Sequence, residues 1–381
     1  KSCSIKVISE IRYDLGWKIF DVYDGASEEN CFWSLPSKHK FYGGGIKRNR
    51  NPTSFPTRIY VPIILSKLKN KKLPKICQLF TIPISSLTLE DIKSLLGKHV
   101  GTGVATLWGA VSKKIRKSTN GEEFLELLKE ATKEKKHSRE VGAGNLGLKT
   151  LYNLVQQLVE EGLLSDANNP YAIDLEKELK DKKTIATLML KYAPENIGSI
   201  SLRSFLVHYI INKLLEIKQS SEGALRKIKT EIIMRESEDF LSRGGALDLG
   251  ESDLAVRDKI IQVIKQGRKF GLFSLIDAQS PSNLHSKIKG QFKITIVHRI
   301  SDYGDLEEVV SPSVKDQVTT GLKLAIGELQ NQWAVILKPR EKRIGGQMVG
   351  RGGFVTKMLV PRSRLMEQGE DFLQIYQSIF P

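Results

Sequence analysis

The sequence predicts an α/β protein with a mostly parallel sheet and an inserted α-helical segment. Short apolar runs alternate along the chain with segments whose apolar residues recur at helical spacing. That alternation is typical of a parallel sheet covered by helices on both faces. Residues 103–180 differ, because they are highly charged and lack strand-like runs. We therefore expect residues 1–102 and 181–381 to form two parts of one core, separated by a helical insertion.

The first predicted elements are a helix and a strand that follow each other directly. Ile5, Ile8 and Ile11 lie at helical spacing, and Gly16 suits the end of a helix. Residues 17–24 then suit a strand that leads into acidic and glycine residues. A helix followed by a strand is half of the repeating unit of a parallel sheet.

The remaining elements of the core continue this alternation. Residues 37–58 are rich in glycine, proline and basic side chains and have no period, which indicates a loop. The helix at 85–96 has hydroxyl residues before it, acids in its first turn and Gly97 after it. Further strands are predicted at 59–65, 76–82, 184–190, 230–236, 271–279 and 292–298, and further helices at 202–217 and 255–266.

The composition is that of a folded, basic protein. The chain has 381 residues and a net charge of +16, from 59 Lys and Arg against 43 Asp and Glu. Cys3, Cys31 and Cys77 cannot form a disulfide framework and no pair has C-x-x-C spacing, so we expect a reducing, cytoplasmic location. No apolar run is long enough to span a bilayer and no secretory leader opens the chain. Membrane insertion and secretion are therefore not expected.

Two segments contain residues typical of a phosphate-binding loop. Such loops end in Gly-Lys-Ser/Thr at the start of a helix, where the lysine meets the phosphates and the hydroxyl ligates magnesium. The chain opens with Lys1-Ser2 directly before a helix, which fits the last two positions. Residues 142–150 (GAGNLGLKT) have an extra residue before the lysine, and the charged stretch that precedes them does not suit a buried strand. We interpret 142–150 as a loop and a helix start.

Polar residues at the ends of predicted strands are candidates for chemistry, because ligands of parallel sheets bind beyond the carboxyl ends of the strands. Asp21, Glu236 and Gln279 take such positions. In ATPases of this architecture an apolar strand usually ends in Asp-Glu, where the second residue polarises the attacking water. Glu236 suits that role, whereas Arg235 stands where the aspartate is usual. A surface ion pair at a strand end explains these two residues equally well.

The later segments resemble a known family of ATPases. Residues 267–271 (GRKFG) lead into an apolar strand that ends in Gln279-Ser-Pro, and residues 297–309 read VHRISDYGDLEEV. Together with the opening lysine-serine pair and the two earlier strand ends, these motifs come in the order of the HerA/FtsK-type DNA-pumping ATPases. The chain is similar to the archaeal HerA-like members of that family.

The resemblance implies a RecA-like P-loop ATPase core, usually a hexameric ring around duplex DNA with ATP bound between subunits. The implied cofactors are ATP and Mg²⁺, and the implied activity is that of a helicase-like translocase. The residue roles implied are phosphate binding by Lys1, Mg²⁺ ligation by Ser2, nucleotide binding near Asp21, base catalysis by Glu236, γ-phosphate sensing by Gln279, and contact with a neighbouring subunit's nucleotide by Arg268 or Arg299.

Three basic segments are candidate contacts to DNA. Residues 38–50 interleave aromatic residues and glycine with basic residues, whereas 67–75 and the C-terminal basic arm at 338–343 are mainly cationic. Any one of them is well explained as a solvated surface, but together with the net charge they favour binding to the phosphate backbone without base recognition. The predicted DNA contacts are Lys38, Lys40, Lys47, Arg48, Arg50, Lys338, Arg340 and Arg343.

Three functions stay open at the level of the sequence. The leading one is a motor that couples ATP hydrolysis to movement of duplex DNA, in end processing, conjugation or genome packaging. A hydrolysis-impaired DNA-binding or scaffold protein of the same fold accounts for Arg235. An interaction module that uses residues 103–180 to recruit a nuclease or another partner is the third.

Overall fold

The structure is a computed structural model that describes residues 2–24, 32, 53–68, 73–96, 108, 112, 121–133, 145–190, 196–197, 200–221, 223–241, 251–289, 291–292, 294–310, 318–330, 333–337 and 353–357. Its strands are β1 Lys18–Asp24, β2 Thr57–Pro62, β3 Cys77–Phe80, β4 Ile82–Pro83, β5 Leu164–Ser165, β6 Ile185–Leu188, β7 Asn196–Ile197, β8 Ile200–Ser201, β9 Thr230–Arg235, β10 Leu272–Ile276, β11 Thr295–Val297, β12 Trp333–Leu337 and β13 Gly353–Lys357. Its α-helices are α1 Ser2–Asp14, α2 Leu65–Leu68, α3 Leu89–Leu96, α4 Gly121–Lys133, α5 Asn145–Glu160, α6 Leu175–Lys180, α7 Leu202–Ser220, α8 Ala224–Lys227, α9 Glu238–Leu241, α10 Glu251–Gln266, α11 Ser286–Lys289, α12 Tyr303–Val310 and α13 Val318–Gly327. Short 3-10 turns lie at Ile84–Ser86, Gly267–Phe270 and Pro281–Asn283.

Six strands form the central sheet in the order β10-β9-β1-β6-β2-β3, and every neighbouring pair is parallel. The predicted α/β class with a parallel sheet is therefore confirmed. Every residue of β9 is buried, as expected for an apolar strand with neighbours on both sides and helices over both faces. Because β9 and β10 are adjacent and parallel, their C-terminal ends meet at one edge of the sheet, which we call the carboxyl edge.

Helix α1 covers one face of the sheet and runs antiparallel to the strands. Near the end of α1, Arg12 forms an ion pair with Glu231, the second residue of β9. Near its start, Ile5 shares a buried cluster with Ile233, which lies two residues further along β9 than Glu231. The helix therefore begins toward the carboxyl edge and ends toward the opposite edge, which we call the amino edge.

Helices α3, α7 and α10 pack on one another over the other face. The side chain of Ser201 caps α7 by accepting a hydrogen bond from the backbone N–H of Ser204 at 3.2 Å. The helix is buried along most of its length, and Phe205, Leu206 and Val207 are fully enclosed. It contains the predicted 202–217 helix and extends it to Ser220.

The segment at 103–180 is mainly helical where the structure describes it, as predicted, but it also supplies a short strand. Helices α4 and α5 pack together, and α5 begins at Asn145, within residues 142–150, where the sequence predicts a loop and a helix start. The strand β5 pairs in parallel with β4. Phe124 and Leu151 belong to the same buried cluster as Phe80 of the sheet. This part of the chain therefore shares the hydrophobic core of the sheet.

A buried ion network at the amino edge attaches α6 to the sheet. Lys18 and Glu178 are fully buried and form an ion pair. The same carboxylate accepts hydrogen bonds from Arg58 and from the hydroxyl of Tyr60, the latter at 2.5 Å. Lys18 also donates to the backbone carbonyl of Thr184 at 2.8 Å. Strands β1 and β2 and helix α6 are thus joined through one buried carboxylate, and Lys18 extends the network to the residue before β6.

The last described elements form a separate layer, which we call the C-terminal unit: β11, β12, β13, α12 and α13. Its three strands are antiparallel, and α12 packs on α13. Val297, Leu306, Ile326 and Val335 form its buried cluster. The strand predicted at 292–298 is present as β11, but it pairs within this second sheet rather than in the parallel one. None of the helices in the described ranges is both long and apolar enough to cross a bilayer.

Candidate functional site

The connections that follow β9 and β10 meet at the carboxyl edge. After β9 the chain continues through Glu236 and Ser237, and after β10 it continues through Asp277. The backbone N–H of Asp277 donates to the carbonyl of Met234 at 3.1 Å, so the pairing of the two strands runs on past their ends. The residues beyond both strands are therefore held close together.

Glu236 has an unusual backbone conformation. Its φ of 48° lies in the left-handed region, and it is the one non-glycine residue with positive φ among those described. Asp277 stabilises this conformation, because its side chain accepts from the N–H of Glu236 and its carbonyl accepts from the Ser237 hydroxyl at 3.0 Å. Such backbone strain costs of order 1–3 kcal/mol and is common at functional sites.

Glu236 and Gln279 are in direct contact. The side-chain amide of Gln279 donates to Oε1 of Glu236 at 2.6 Å. Glu236 is half-buried and Gln279 is exposed, so both side chains are accessible from solvent. The structure thus brings together the predicted base and the predicted sensor, while their chemical roles stay predictions.

Residues that the sequence reasoning missed hold the connection after β10. The carboxylate of Glu238 accepts from the backbone N–H of Gln279 and from that of Ser280, the latter at 3.0 Å. Asp305 of α12 accepts from the Ser280 hydroxyl at 3.0 Å. Glu238 and Asp277 follow apolar strands within three residues, which was a usable signal. Asp305 carried no such signal, because it is distant in sequence.

Arg235 and Asp21 lie together beneath α1. The guanidinium Nη2 of Arg235 is 3.9 Å from Oδ2 of Asp21, and both side chains are buried. The alternative explanation, that Arg235 forms an ion pair on the surface, is therefore wrong, because Arg235 is buried. Asp21 also does not end its strand, because β1 continues to Asp24 and Asp21 is in register with Ile233. The strand predicted at 17–24 is therefore present, but the assignment of Asp21 to its end is wrong, because Asp21 lies in the middle of β1.

The start of α1 is the candidate phosphate-binding position. Lys1 lies outside the described residues, and Ser2 is the first residue of α1. Two residues later, the Ser4 hydroxyl and Nε2 of His298 are 2.8 Å apart. This contact joins the first turn of α1 to the C-terminal unit. Since α1 begins toward the carboxyl edge, the N–H groups of its first turn lie toward that edge, and helix N-termini favour anions.

The two candidate arginines occupy different places. Arg268 is exposed in the 3-10 turn that precedes β10, at the amino edge. The five residues of β10 separate it from the residues beyond the carboxyl end, a length of about 16 Å at ~3.3 Å per residue. Arg299 is exposed and directly follows His298, so it is adjacent in sequence to a residue that contacts α1. Within one chain, Arg268 and Glu236 are not brought together.

The predicted DNA contacts cannot be placed, because they lie outside the described residues: Lys38, Lys40, Lys47, Arg48, Arg50, Lys338, Arg340 and Arg343. Within the described ranges, no cluster of three or more His, Cys, Asp or Glu side chains suits a metal ion. A magnesium ion of a P-loop site is bound mainly by phosphates, water and one hydroxyl, so a cluster of protein carboxylates is not required for it.

The six-stranded parallel sheet defines the class of protein as an α/β protein with the RecA-like fold of P-loop NTPases. The bacterial conjugative coupling protein TrwBdeltaN70 has this fold, and 95% of this chain matches 84% of that chain with a TM-score of 0.52 and 10% identity. VirB4 of Thermoanaerobacter pseudethanolicus matches over 90% of this chain and 88% of its own, with a TM-score of 0.44 and 12% identity. The genome packaging NTPase B204 from Sulfolobus turreted icosahedral virus 2 matches over 50% and 73%, with a TM-score of 0.30 and 11% identity.

The fold assignment rests on the likeness to TrwBdeltaN70. No protein-family model matches the chain, and no curated protein matches it.

Proposed function

We propose that the protein is an ATPase that couples ATP hydrolysis to the movement or processing of duplex DNA. The observation that carries the proposal is the contact between the Glu236 carboxylate and the Gln279 amide beyond two adjacent strands of a RecA-like sheet. A base and a γ-phosphate sensor must be neighbours to act on one phosphate. The start of α1 lies toward the same edge and supplies N–H groups for the phosphates.

The residues at this edge fit ATP with Mg²⁺. Lys1 and the first N–H groups of α1 would hold the phosphates, and the Ser2 hydroxyl would ligate Mg²⁺. The bound metal supplies charge neutralisation of the phosphate oxygens. Arg235 does not add a metal-positioning carboxylate, and its partner Asp21 is buried inside the sheet.

Glu236 would position the attacking water and receive its proton. Its Oε1 holds the Gln279 amide, and a carboxylate has a second oxygen that can accept from water. Asp277 fixes the backbone of Glu236, so the carboxylate is oriented before substrate binds. Such preorganisation lowers the cost of reaching the transition state.

The net charge of +16 supports a polyanionic partner, and DNA bound through its backbone is the partner that we propose. Assembly as a homo-hexamer is favoured by Arg268, because its place at the amino edge suits contact with another copy's nucleotide rather than its own. We propose a cytoplasmic location for this activity, with a nuclease as a further partner.

A hydrolysis-impaired DNA-binding or scaffold protein is the second candidate. It is favoured by Arg235, which places a buried cation where ATPases of this fold usually have a magnesium-positioning acid. Such a protein would bind nucleotide and DNA without turnover. The helices α4 and α5 would then serve as the surface that recruits a partner.

The deciding experiment is steady-state ATP hydrolysis with and without duplex DNA, combined with DNA binding at several salt concentrations. We expect turnover that DNA increases, and an affinity that falls as salt rises, with a log-log slope of about −0.9 per phosphate contact. Glu236→Gln should lower turnover about 100-fold or more and leave nucleotide binding intact, because only the base is lost. The matched control is Glu123→Gln, on the exposed face of α4, which should change neither.

Nucleotide and DNA binding without hydrolysis in the wild type would favour the scaffold. Failure to bind ATP at all would contradict both candidates.

A further inference from the structure

Two carboxylates hold the segment Gln279–Ser282, which we call the sensor loop. Glu238, from the connection after β9, accepts from the backbone N–H of Gln279 and from that of Ser280. Asp305, from α12, accepts from the Ser280 hydroxyl at 3.0 and 3.2 Å and from the N–H of Ser282 at 2.7 Å. The loop is thus fixed on one side by the parallel sheet and on the other by the C-terminal unit.

The carboxylate of Asp305 is built into its helix. The side chain of Asp302 accepts from the backbone N–H of Asp305 at 2.8 Å, which caps the start of α12. Asp305 itself is buried, with 7% of its surface exposed. Hydrogen bonds to a buried carboxylate are stronger than those between neutral groups, so Asp305 and the sensor loop are firmly attached.

The attachment reaches the core of the C-terminal unit. The next residue, Leu306, is buried in the cluster that contains Ile326 and Val335. Helix α12 also packs against the 3-10 turn Pro281–Asn283 that ends the sensor loop. A displacement of the loop must therefore move α12, or break the contacts of Asp305.

The C-terminal unit contacts the candidate site at a second point. The ring of His298, which follows β11, lies 2.8 Å from the Ser4 hydroxyl in the first turn of α1. The unit therefore contacts both the helix proposed to bind phosphates and the loop proposed to sense them. Because the C-terminal unit is held at these two points, its orientation depends on both α1 and the sensor loop.

We propose that Asp305 is a positioning residue for Gln279 and the point at which the C-terminal unit responds to bound nucleotide. This proposal rests on the proposed function, because it takes Gln279 as the side chain that contacts the γ-phosphate. Asp305 does not touch the substrate. It fixes the loop from which the Gln279 amide reaches Glu236, and it carries any movement of that loop into α12.

The first test needs no enzymatic activity. Amide hydrogen exchange of the full chain should show about tenfold or faster exchange at Ser282 in Asp305→Ala, because the carboxylate that accepts from its backbone N–H is lost. Asp305→Asn keeps an acceptor oxygen and should restore most of the protection. The control is Glu307→Gln, which removes an equal charge from the same helix at a residue paired with Lys323 and away from the loop. Equal exchange in all variants would overturn the proposal.

The second test measures the coupling. Adding a non-hydrolysable ATP analogue to the wild type should slow exchange in α12, and Asp305→Ala should abolish that response while the analogue still binds. In steady state, Asp305→Ala should lower kcat about tenfold with little change in the KM for ATP, and Glu307→Gln should change neither. Unaltered α12 exchange on analogue binding would overturn the coupling.

The outcomes separate this proposal from the proposed function. If the wild type binds the analogue and shows the exchange differences but does not hydrolyse ATP, the ATPase assignment fails and the role of Asp305 stands. If the wild type hydrolyses ATP and Asp305→Ala hydrolyses it equally fast, the ATPase assignment stands and the role of Asp305 fails.

Discussion

Glu236 shows a conflict between stability and chemistry at a single residue. Its left-handed backbone is unfavourable for any side chain with a Cβ atom. The conformation directs the carboxylate to Gln279 and is held by Asp277. A residue selected for stability alone would be glycine, so the glutamate at this position indicates selection for its side chain.

Glu236→Gly should therefore stabilise the protein while removing its activity. We expect the free energy of unfolding to rise by about 0.5–1 kcal/mol, because glycine adopts positive φ without the steric cost. Urea denaturation measures this, with Glu236→Gln as the control that keeps the strain and should match the wild type. If Glu236→Gly were no more stable than Glu236→Gln, the backbone would not be strained.

Lys218 makes stability depend on pH. It donates to the carbonyls of Leu225 and Ile228, and burial lowers its pKa from 10.5 to about 8, with nearby Lys182 adding to the effect. Between those pH values the unfolded state binds more protons than the folded state. The free energy of unfolding should therefore rise as the pH increases from about 8 to about 10.5.

Lys218→Met should remove that rise, because the titrating group is absent. Urea denaturation at pH 7.5 and 10 measures the difference, and Lys227→Met, at an exposed lysine nearby, should keep the wild-type slope. The same slope in Lys218→Met and the wild type would contradict the assignment.

At the scale of elements, α6 depends on its buried carboxylate. Glu178→Gln should lower the free energy of unfolding by about 3 kcal/mol, because it leaves the buried ammonium of Lys18 without a charged partner. Glu176→Gln, on the exposed side of the same helix, breaks a surface pair with Lys180 and should cost less than about 0.5 kcal/mol. Chemical denaturation of both variants decides this, and similar losses would count against the network.

The elements that the sequence predicted well are those whose signal is local. Helix α7 and strand β9 have long apolar patterns and clear end signals, and both are present. Pairing is a non-local property, and it caused the differences: β5 pairs with β4, and β11 belongs to a second sheet. Asp21 was assigned to a strand end although it lies within β1, because its pairing with buried Arg235, which is distant in sequence, leaves no local pattern.

The candidate site could likewise be predicted where its residues follow predicted strands, and not where they are brought in by packing. Glu236 and Gln279 follow apolar strands, and parallel pairing of those strands makes them neighbours. The residues that hold them were not predictable, because Asp305 and His298 reach the site only through the packing of the C-terminal unit. A pattern along the chain identifies strand ends but not which later helix will contact them.

At the scale of the whole molecule, the separation of Arg268 from Glu236 has a consequence for assembly. If Arg268 acts on a neighbouring copy, mixing Arg268→Ala with wild-type protein should reduce ATP turnover more steeply than dilution, because one defective copy disables the next site. The control is Lys269→Ala, which removes an adjacent exposed cation from the same turn and should have little effect. Activity that falls linearly with the mutant fraction would argue against action between copies.

The buried pair of Lys18 and Glu178 restricts how related sequences can diverge. Replacing either residue alone leaves a buried charge, whereas replacing both with apolar residues of similar volume can be close to neutral. A single change at either position therefore costs stability, and we expect the two residues to change together in related sequences. Arg58 is partly exposed, so water can solvate its guanidinium when its carboxylate partner is absent. We therefore expect Arg58 to vary independently of the pair.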